Sequence, residues 1–459
     1  MKYRTERDSM GDVNVPENAL YGAQTQRAVD NFGLRGRTMP EAFLRNLAWL
    51  KCAAARANRD CLALDPDIAA AIEKAAERIA REDYTAHFPV SVFQTGSGTS
   101  TNMNMNEVVA RLASDALGQP VHPNDHVNCS QSSNDVIPSC LQVSALQGIE
   151  DQLLPALRQL TETTGRRSDE LRAVVKTGRT HLMDAMPLTL GQELEAWTFQ
   201  LGECGQRLDE LLPRLRQLPI GGSAVGTGVN VPADFARSLT AGLSELLNLE
   251  LTPCANPFSR MAGQDVALEC SAALRALATV LTKICNDLRW MSSGPLSGLA
   301  EIRLEALQPG SSIMPGKVNP VLPEAVLMVC ADVAGNDGAI ALAASSGNFQ
   351  LNVMLPLIAE KLANGLDGLT WACGACARTI AGFSVEHERI EAALASNPIL
   401  VTALNAHIGY EAAAAIAKRS YEEKRPVLDV AAEETDMSRE ELADLLDPLR
   451  LTGANGDGG

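Results

Sequence analysis

Eleven residues, Gly310-Ser311-Ser312-Ile313-Met314-Pro315-Gly316-Lys317-Val318-Asn319-Pro320, place a hydroxyl six residues ahead of a lysine in a stretch too polar and too broken for a core. A serine is a weak base unless its alkoxide is stabilised, and this stretch holds two means of doing so. Backbone amides around Gly310, Ser312 and Gly316 can form a concavity for negative charge, and Lys317 adds a point cation. Asn319 contributes a neutral fork that donates and accepts hydrogen bonds. The plainer alternative is a turn joining two helices with Lys317 in solvent, but the variety of side chains exceeds what a linker needs.

Four other clusters could work with it. Gly178-Arg179-Thr180-His181-Leu182-Met183-Asp184-Ala185-Met186-Pro187 carries one of only six histidines in a polar break before a helix at Leu190. Imidazole is the side chain whose ordinary titration suits acid and base work near neutrality; the bland reading is a surface or capping histidine. Ser130-Gln131-Ser132-Ser133-Asn134-Asp135 sets short hydroxyl and amide groups side by side, which suits both oxygens of a carboxylate or, equally, the N-cap of a helix. Gly96-Ser97-Gly98-Thr99-Ser100-Thr101-Asn102 is Gly-rich but lacks the spacing and the lysine of a nucleotide phosphate loop, so a carboxylate-binding turn fits better. His122-Pro123-Asn124-Asp125 forms a further turn. No histidine or cysteine has zinc-site spacing, and no cofactor signature is present, so neither metal nor cofactor is expected. The inventory suits proton abstraction beside a carboxylate, with a dianionic enediolate-like species held by amide and ammonium donors.

Long helices are the elements that would position these groups. The chain has 459 residues, 46% of them apolar and only 4% aromatic, so its core must be built from Ala, Leu, Val and Ile, which favours packed helices. Leu194, Trp197, Leu201, Cys204, Leu208, Leu211 and Leu215 recur at threes and fours, a bundle stripe. Val266, Cys270, Ala273, Leu277, Val280, Ile284, Leu288 and Met291 repeat the pattern over a rod of about 40 Å. Two more helices are expected at 136–170, broken at Pro155, and at 323–345. Several of these rods look apolar on more than one face, so each is either central in its own bundle or buried against another subunit; the second is expected for at least one of them, and with it an oligomer. The expected organisation is an N-terminal, mixed but mostly helical domain over 1–135, a central long-helix bundle over 136–390 and a small helical C-terminal domain over 391–459. In the last, Ser438 and Glu441 form a capping-box pattern with Asp436 as a rival cap, and Gly453 to Gly459 should fray.

Bulk properties exclude some classes. A net charge of -17 with no long basic run argues against a nucleic-acid partner. Eleven cysteines show no disulfide framework, and the CxxC at Cys373 and Cys376 reads as packed thiols in a helix. No secretory or transit segment and no membrane span is evident, which makes the cytoplasm the default.

The quoted motifs resemble the fumarase/aspartase superfamily, and within it the class II, iron-independent fumarases. The resemblance runs from Tyr21-Gly22-Ala23-Gln24-Thr25-Gln26-Arg27 to the C-terminal domain. Gly310 to Pro320 matches the superfamily signature; Gly316-Lys317-Val318-Asn319 and Ser130 to Asn134 have the fumarase form rather than that of aspartases. The resemblance implies a mainly α, three-domain fold with a long central helical bundle. It also implies a lyase of the tricarboxylic acid cycle that hydrates fumarate reversibly to L-malate. The enzyme would be a homotetramer with each active site shared by three subunits. By the same resemblance Ser311 is the base at C3 of malate, Thr180 and His181 hold the water or leaving hydroxyl, and Glu324 pairs with His181 from another chain. Ser97, Thr99, Ser132, Ser133, Asn134, Lys317 and Asn319 would bind the two carboxylates of a small dicarboxylate. His122, Asn124 and Asp125 resemble the family's secondary carboxylate site near the entrance. Met183 and Met186 depart from the Gln and Thr of many fumarases, and Val321-Leu322-Pro323 precedes Glu324 where several have Thr-Gln-Cys. An aspartate ammonia-lyase would use the same base and clamps with another leaving-group pocket; a non-catalytic structural homologue should have lost Ser311, His181 or Lys317.

Overall fold

The computed structural model describes residues 2–34 and 36–453, so the Gly-rich terminus expected to fray lies largely outside the described residues. The chain opens with an antiparallel hairpin of β1 (Tyr3–Asp8) and β2 (Gly11–Pro16), paired from Tyr3↔Pro16 to Asp8↔Gly11. Helices α1 (Ala23–Phe32), α2 (Glu41–Asp60), α3 (Pro66–Arg81), α4 (Thr99–Leu117) and α5 (Ser133–Gln147) follow. A wide π-type turn at Gly148–Leu153 leads into α6 (Leu154–Glu170). A second hairpin, β3 (Val175–Thr180) and β4 (Met183–Thr189), precedes α7 (Leu190–Leu215). Then come α8 (Phe235–Leu247), α9 (Pro257–Ala262), α10 (Asp265–Met291), α11 (Val321–Ala344) and α12 (Leu355–Gly382), with short helices from His387 onward. The fold is mainly α with a bundle of long helices, as the composition predicts.

The seven residues of the first stripe are all buried along α7. Each fully buried leucine there contributes about 1.5–3 kcal/mol of transfer free energy. The second stripe needs correction. In α10 the buried positions run Cys270, Leu274, Leu277, Leu281, Ile284, Leu288 and Met291, while Ala273 and Val280 are half-buried. Steps of three and four are equally helical, and the larger leucines take the core side. The break in the 136–170 helix lies before Pro155 rather than at it. Pro155 is the second residue of α6 and follows directly on a turn in which Leu154 N donates to Ile149 O; its missing N–H interrupts the ladder there, and the wide turn before it absorbs the loss. Near the C-terminus Ser438, not Asp436, caps the helix Arg439–Leu445, and Glu441 closes the capping box.

By contact density the chain forms two compact units. One comprises Met1–Pro155, Gln206–Ala278 and Ala331–Thr370; the other comprises Ala156–Gly205, Thr279–Cys330 and Trp371–Gly459. In the first, α2 packs against α3, α4, α5 and α8 around Phe43, Leu47, Leu50, Ile72, Leu141 and Phe235. In the second, the β3–β4 hairpin stands beside the helix His387–Ala395, and a separate cluster that includes Leu404, Ile416, Val430 and Leu442 packs the C-terminal helices. Cys373 and Cys376 are buried in α12, with Cys376 Sγ 3.6 Å from Cys285 Sγ. Burial pushes the Cys373 thiol up to about 12, which marks it as packing rather than reactive.

One expectation about membranes changes. Helix α11 is long and apolar enough to cross a membrane by length and composition, although the sequence reading found no such span. Its Asp337 accepts from Ser271 Oγ at 2.7 Å and pairs with Arg275 at 2.8 Å, contacts of a helix packed in protein.

Candidate active site

The Gly310–Pro320 loop doubles back on itself. Gly310 N donates to Lys317 O at 2.8 Å, Lys317 N donates to Met314 O at 3.3 Å, and Asn319 Nδ2 donates to Gly310 O at 2.7 Å. A Cβ on Gly310 would stand 2.5 Å from Lys317 O and 2.9 Å from Asn319 N, so only glycine permits this closure. Within the loop Ser311 Oγ accepts two backbone N–H groups, from Ile313 at 3.2 Å and Met314 at 3.1 Å. Those are not the amides that the sequence suggested. The N–H of Gly310 is already committed to Lys317 O, which leaves the next turn of chain to face the hydroxyl. Ser311 is half-buried and Lys317 exposed. Lys317 and Asn319 also line a cleft of about 540 Å³ whose other walls include Arg303, Glu386 and Arg389.

Thr180 and His181 sit at the tip of a hairpin, not in an irregular break. Thr180 ends β3 opposite Met183, and His181 and Leu182 form the two-residue turn with φ of 55° and 60°. That double left-handed geometry matches the strand twist. The ladder shifts register between Thr177 and Arg179, and a Cβ on Gly178 would lie 2.4 Å from Met186 O. The hairpin's base is held by charge. Lys176 Nζ lies 2.9 Å from both Glu193 and Glu301, and Arg179 Nη2 lies 2.6 Å from Glu301 Oε1. Burial alone would raise the Glu301 carboxyl; Arg179 and Lys176 outweigh it and hold the group below its ordinary value. Asn397 Nδ2 adds a bond to Ala185 O at 2.9 Å. The tip itself is exposed, and Glu324, in the first turn of α11, makes no ion pair with His181 within the chain.

The other unit gathers the hydroxyl and amide groups. Ser97 Oγ and Thr99 Oγ1 are 2.7 Å apart at the start of α4, where Gly98 caps with φ 75°. Ser132 caps α5: its Oγ accepts from Asn134 N at 3.2 Å, and Asp135 Oδ1 accepts from Ser132 N at 3.0 Å. Capping is therefore one role of this cluster. Asn102 Nδ2, in the first turn of α4, donates to Ser133 Oγ at 3.0 Å, so the N-termini of α4 and α5 are neighbours. Two positive helix ends beside each other favour negative charge near them. Asn134 Nδ2 is tied to Ala224 O at 2.8 Å. His122, Asn124 and Asp125 lie on a separate turn, where His122 Nδ1 accepts from Asp125 N at 3.1 Å. His122 and Asn124 border a cleft of about 590 Å³ together with Arg4 and Arg111.

A buried polar layer beneath the Ser132–Asn134 turn was not foreseen. Lys51 of α2 is fully buried, and its Nζ donates to Gln131 Oε1 at 2.9 Å and Asn128 Oδ1 at 3.2 Å. Asn102 and Asn106 each donate to the same Asn128 Oδ1 at 3.1 Å. Asp135 is buried too and accepts from Gly221 N at 3.0 Å and Ser223 N at 2.8 Å. Burial brings Lys51 down to about 7, despite the nearby Asp135, and lifts Asp135 to about 6. The signal in the sequence was a lysine on the apolar phase of α2, between Leu47 and Ala55.

These features have counterparts among known proteins. The family model described as Lyase matches residues 11–335, and that described as Fumarase C C-terminus matches residues 400–453. The chain is 55% identical over 450 residues to fumarate hydratase class II 2 of Pseudomonas aeruginosa, with 98% of each chain covered. It is 48% identical over 458 residues to fumarate hydratase class II of Mycobacterium tuberculosis, covering 98% of this chain and 96% of that one. Among solved structures, a recombinant class II fumarase from Schistosoma mansoni superposes with a TM-score of 0.95 at 36% identity, over 98% of this chain and 99% of that one. A fumarate lyase:delta crystallin from Brucella melitensis bound to cobalt gives 0.92 at 41%, over 98% and 100%.

Proposed function

The chain belongs to the class II fumarate hydratases, iron-independent hydro-lyases of the fumarase/aspartase superfamily, and from that premise we propose how its residues carry out the reversible hydration of fumarate to L-malate. Ser311 as alkoxide removes the C3 proton of malate. The observation that carries this assignment is the pair of N–H groups from Ile313 and Met314 on Ser311 Oγ, donors that gain strength as the oxygen becomes anionic. Loss of the proton leaves a dianionic enediolate-like species. Lys317 and Asn319 serve one carboxylate. Ser97, Thr99, Ser132, Ser133 and Asn134, at the two helix N-termini, serve the other. Thr180 holds the C2 hydroxyl while His181 donates the proton with which it departs as water; in reverse, His181 takes a proton from the water that adds.

The exposed tip of the hairpin and the lack of a Glu324–His181 pair in one chain support a site completed by other copies, in a homotetramer with three subunits at each centre. Helix α11 supports it further: Met328 is 68% and Leu342 75% exposed on a helix whose composition is mostly apolar. His122, Asn124 and Asp125 would form a secondary carboxylate site, and the cytoplasm is the proposed location. Purified protein given fumarate without added metal should consume its ultraviolet absorbance and form malate. Inertness toward fumarate together with ammonia release from aspartate would replace the hydratase reading by an ammonia-lyase.

A further inference from the structure

We propose that Lys51 is a positioning residue for the substrate carboxylate, a buried cation that fixes the Asn128–Gln131 turn from below and favours negative charge at Ser132, Ser133 and Asn134 above it. This rests on the hydratase reading of the Ser132–Asn134 cluster and extends it to a residue outside the motif.

First, Lys51 reaches the turn directly: its ammonium donates to the side chains of Asn128 and Gln131. Those two residues fold the turn, since Asn128 Nδ2 donates to Gln131 O at 3.2 Å and Gln131 Nε2 donates to Val127 O and Cys129 O. Second, the layer is donor-rich. Three N–H groups converge on Asn128 Oδ1, and Asn102 passes the connection to Ser133 Oγ. Third, a fully buried ammonium is costly to keep charged unless an anion approaches it. Among the described residues, the titratable groups that act on it are Asp135 and Cys140, both on α5. Cys140 stays a thiol because burial pushes its pKa far up, and no titratable group of α3, α4 or α8, which also pack on α2, acts on Lys51 among the described residues. Asp135 is spent on the amides of Ser132, Gly221 and Ser223. The charge of Lys51 is thus only partly balanced in the free protein, and a dicarboxylate at the turn above supplies the remainder.

Lys51 titrates at about 7 in the free protein, and a bound dianion favours its protonated form, so binding takes up protons near neutrality. Affinity is greatest below pH 7 and declines as pH rises through the free-protein value. A one-unit rise of the Lys51 pKa on binding makes KM about tenfold higher on the alkaline plateau than on the acid one. Asp135, at about 6, contributes a second limb at lower pH.

The test is titration calorimetry with succinate, an unreactive dicarboxylate, in buffers of different ionisation enthalpy from pH 6 to 8.5, paired with the pH profile of KM for fumarate. Unmodified protein should take up protons, most strongly near pH 7. Lys51→Gln should lose that uptake and flatten the KM profile, with KM rising more than kcat falls. A purely structural lysine would leave the pH profile's shape alone. Succinate binding without proton uptake in the unmodified protein, or equal uptake in Lys51→Gln, overturns the proposal. The first measurement needs no variant and so stands even if Lys51→Gln does not fold. Absence of fumarate turnover in the unmodified protein would defeat the hydratase reading instead, and the succinate titration would still decide the case of Lys51.

Discussion

Arg179 Nη2 and Glu301 Oε1 stand 2.6 Å apart, which ties the strand presenting Thr180 and His181 to the segment that runs on toward Ser311. Lys176 shares the same carboxylate at 2.9 Å, and Lys176 and Glu301 are both almost wholly buried. Removing the anion would leave Arg179 without this carboxylate and Lys176 with Glu193 alone.

Glu301→Gln should therefore cost about 3 kcal/mol at neutral pH, the range for breaking one partner out of a buried pair. The Glu301 pKa is depressed, so its contribution is fully present above the unfolded value of 4.5 and is lost as pH falls through the folded one. Thermal melts should show the gap between unmodified protein and variant narrowing as pH drops below that value. A gap that stays constant would mean the carboxylate's charge is not what holds the hairpin.

Gly310→Ala tests loop geometry separately from chemistry. Its Cβ would press on Lys317 O at 2.5 Å, which opens the bond that closes the loop and disturbs the Ile313 and Met314 amides on Ser311. Turnover should fall about 10²-fold or more, the scale of losing positioned proton transfer, while Ser311→Ala loses about 10³-fold or more with little change in KM. The loop is mostly exposed, so both melting temperatures should stay near that of the unmodified protein. Near-normal kcat in Ser311→Ala would show that another group is the base.

His181 combines two demands that substitution can separate. Its φ of 55° suits asparagine, which tolerates the left-handed region, and does not suit a β-branched residue. His181→Asn should keep the melting temperature within the shift expected of about 0.5 kcal/mol yet reduce kcat strongly. His181→Val should lower both. Equal stability of the two variants would remove the argument from backbone strain.

Which of these features the sequence disclosed depends on how local their cause is. Ser311, Lys317 and Asn319 were visible because a polar, Gly- and Pro-punctuated run between helices has few structural reasons to exist. The α7 stripe was visible because seven apolar positions at helical spacing leave one orientation open. The β3–β4 hairpin was not, since the register shift at Thr177–Arg179 breaks the alternation by which strands are read. The amides facing Ser311 depend on which loop bond closes first in space, and a string of residues does not contain that. Lys51 stayed hidden because a lysine on an apolar helix face usually extends its amine to solvent; only the packing of α3, α4, α5 and α8 around α2 shows that this one cannot.

The exposed side chains of α11 make the quaternary proposal testable. Met328 and Leu342 are large and apolar, and covering each would contribute about 1.5–3 kcal/mol. In a tetramer four copies would multiply that gain, and would also multiply the cost of a charge placed there. Met328→Glu combined with Leu342→Glu puts like charges in every copy of a dry interface, so sedimentation should show species smaller than a tetramer. If each active centre draws groups from three chains, turnover must decline in step with the loss of the large species, while the helical signal in circular dichroism persists. A variant that stays tetrameric would place the subunit interface elsewhere, and smaller species with full turnover would show that one chain holds a complete site.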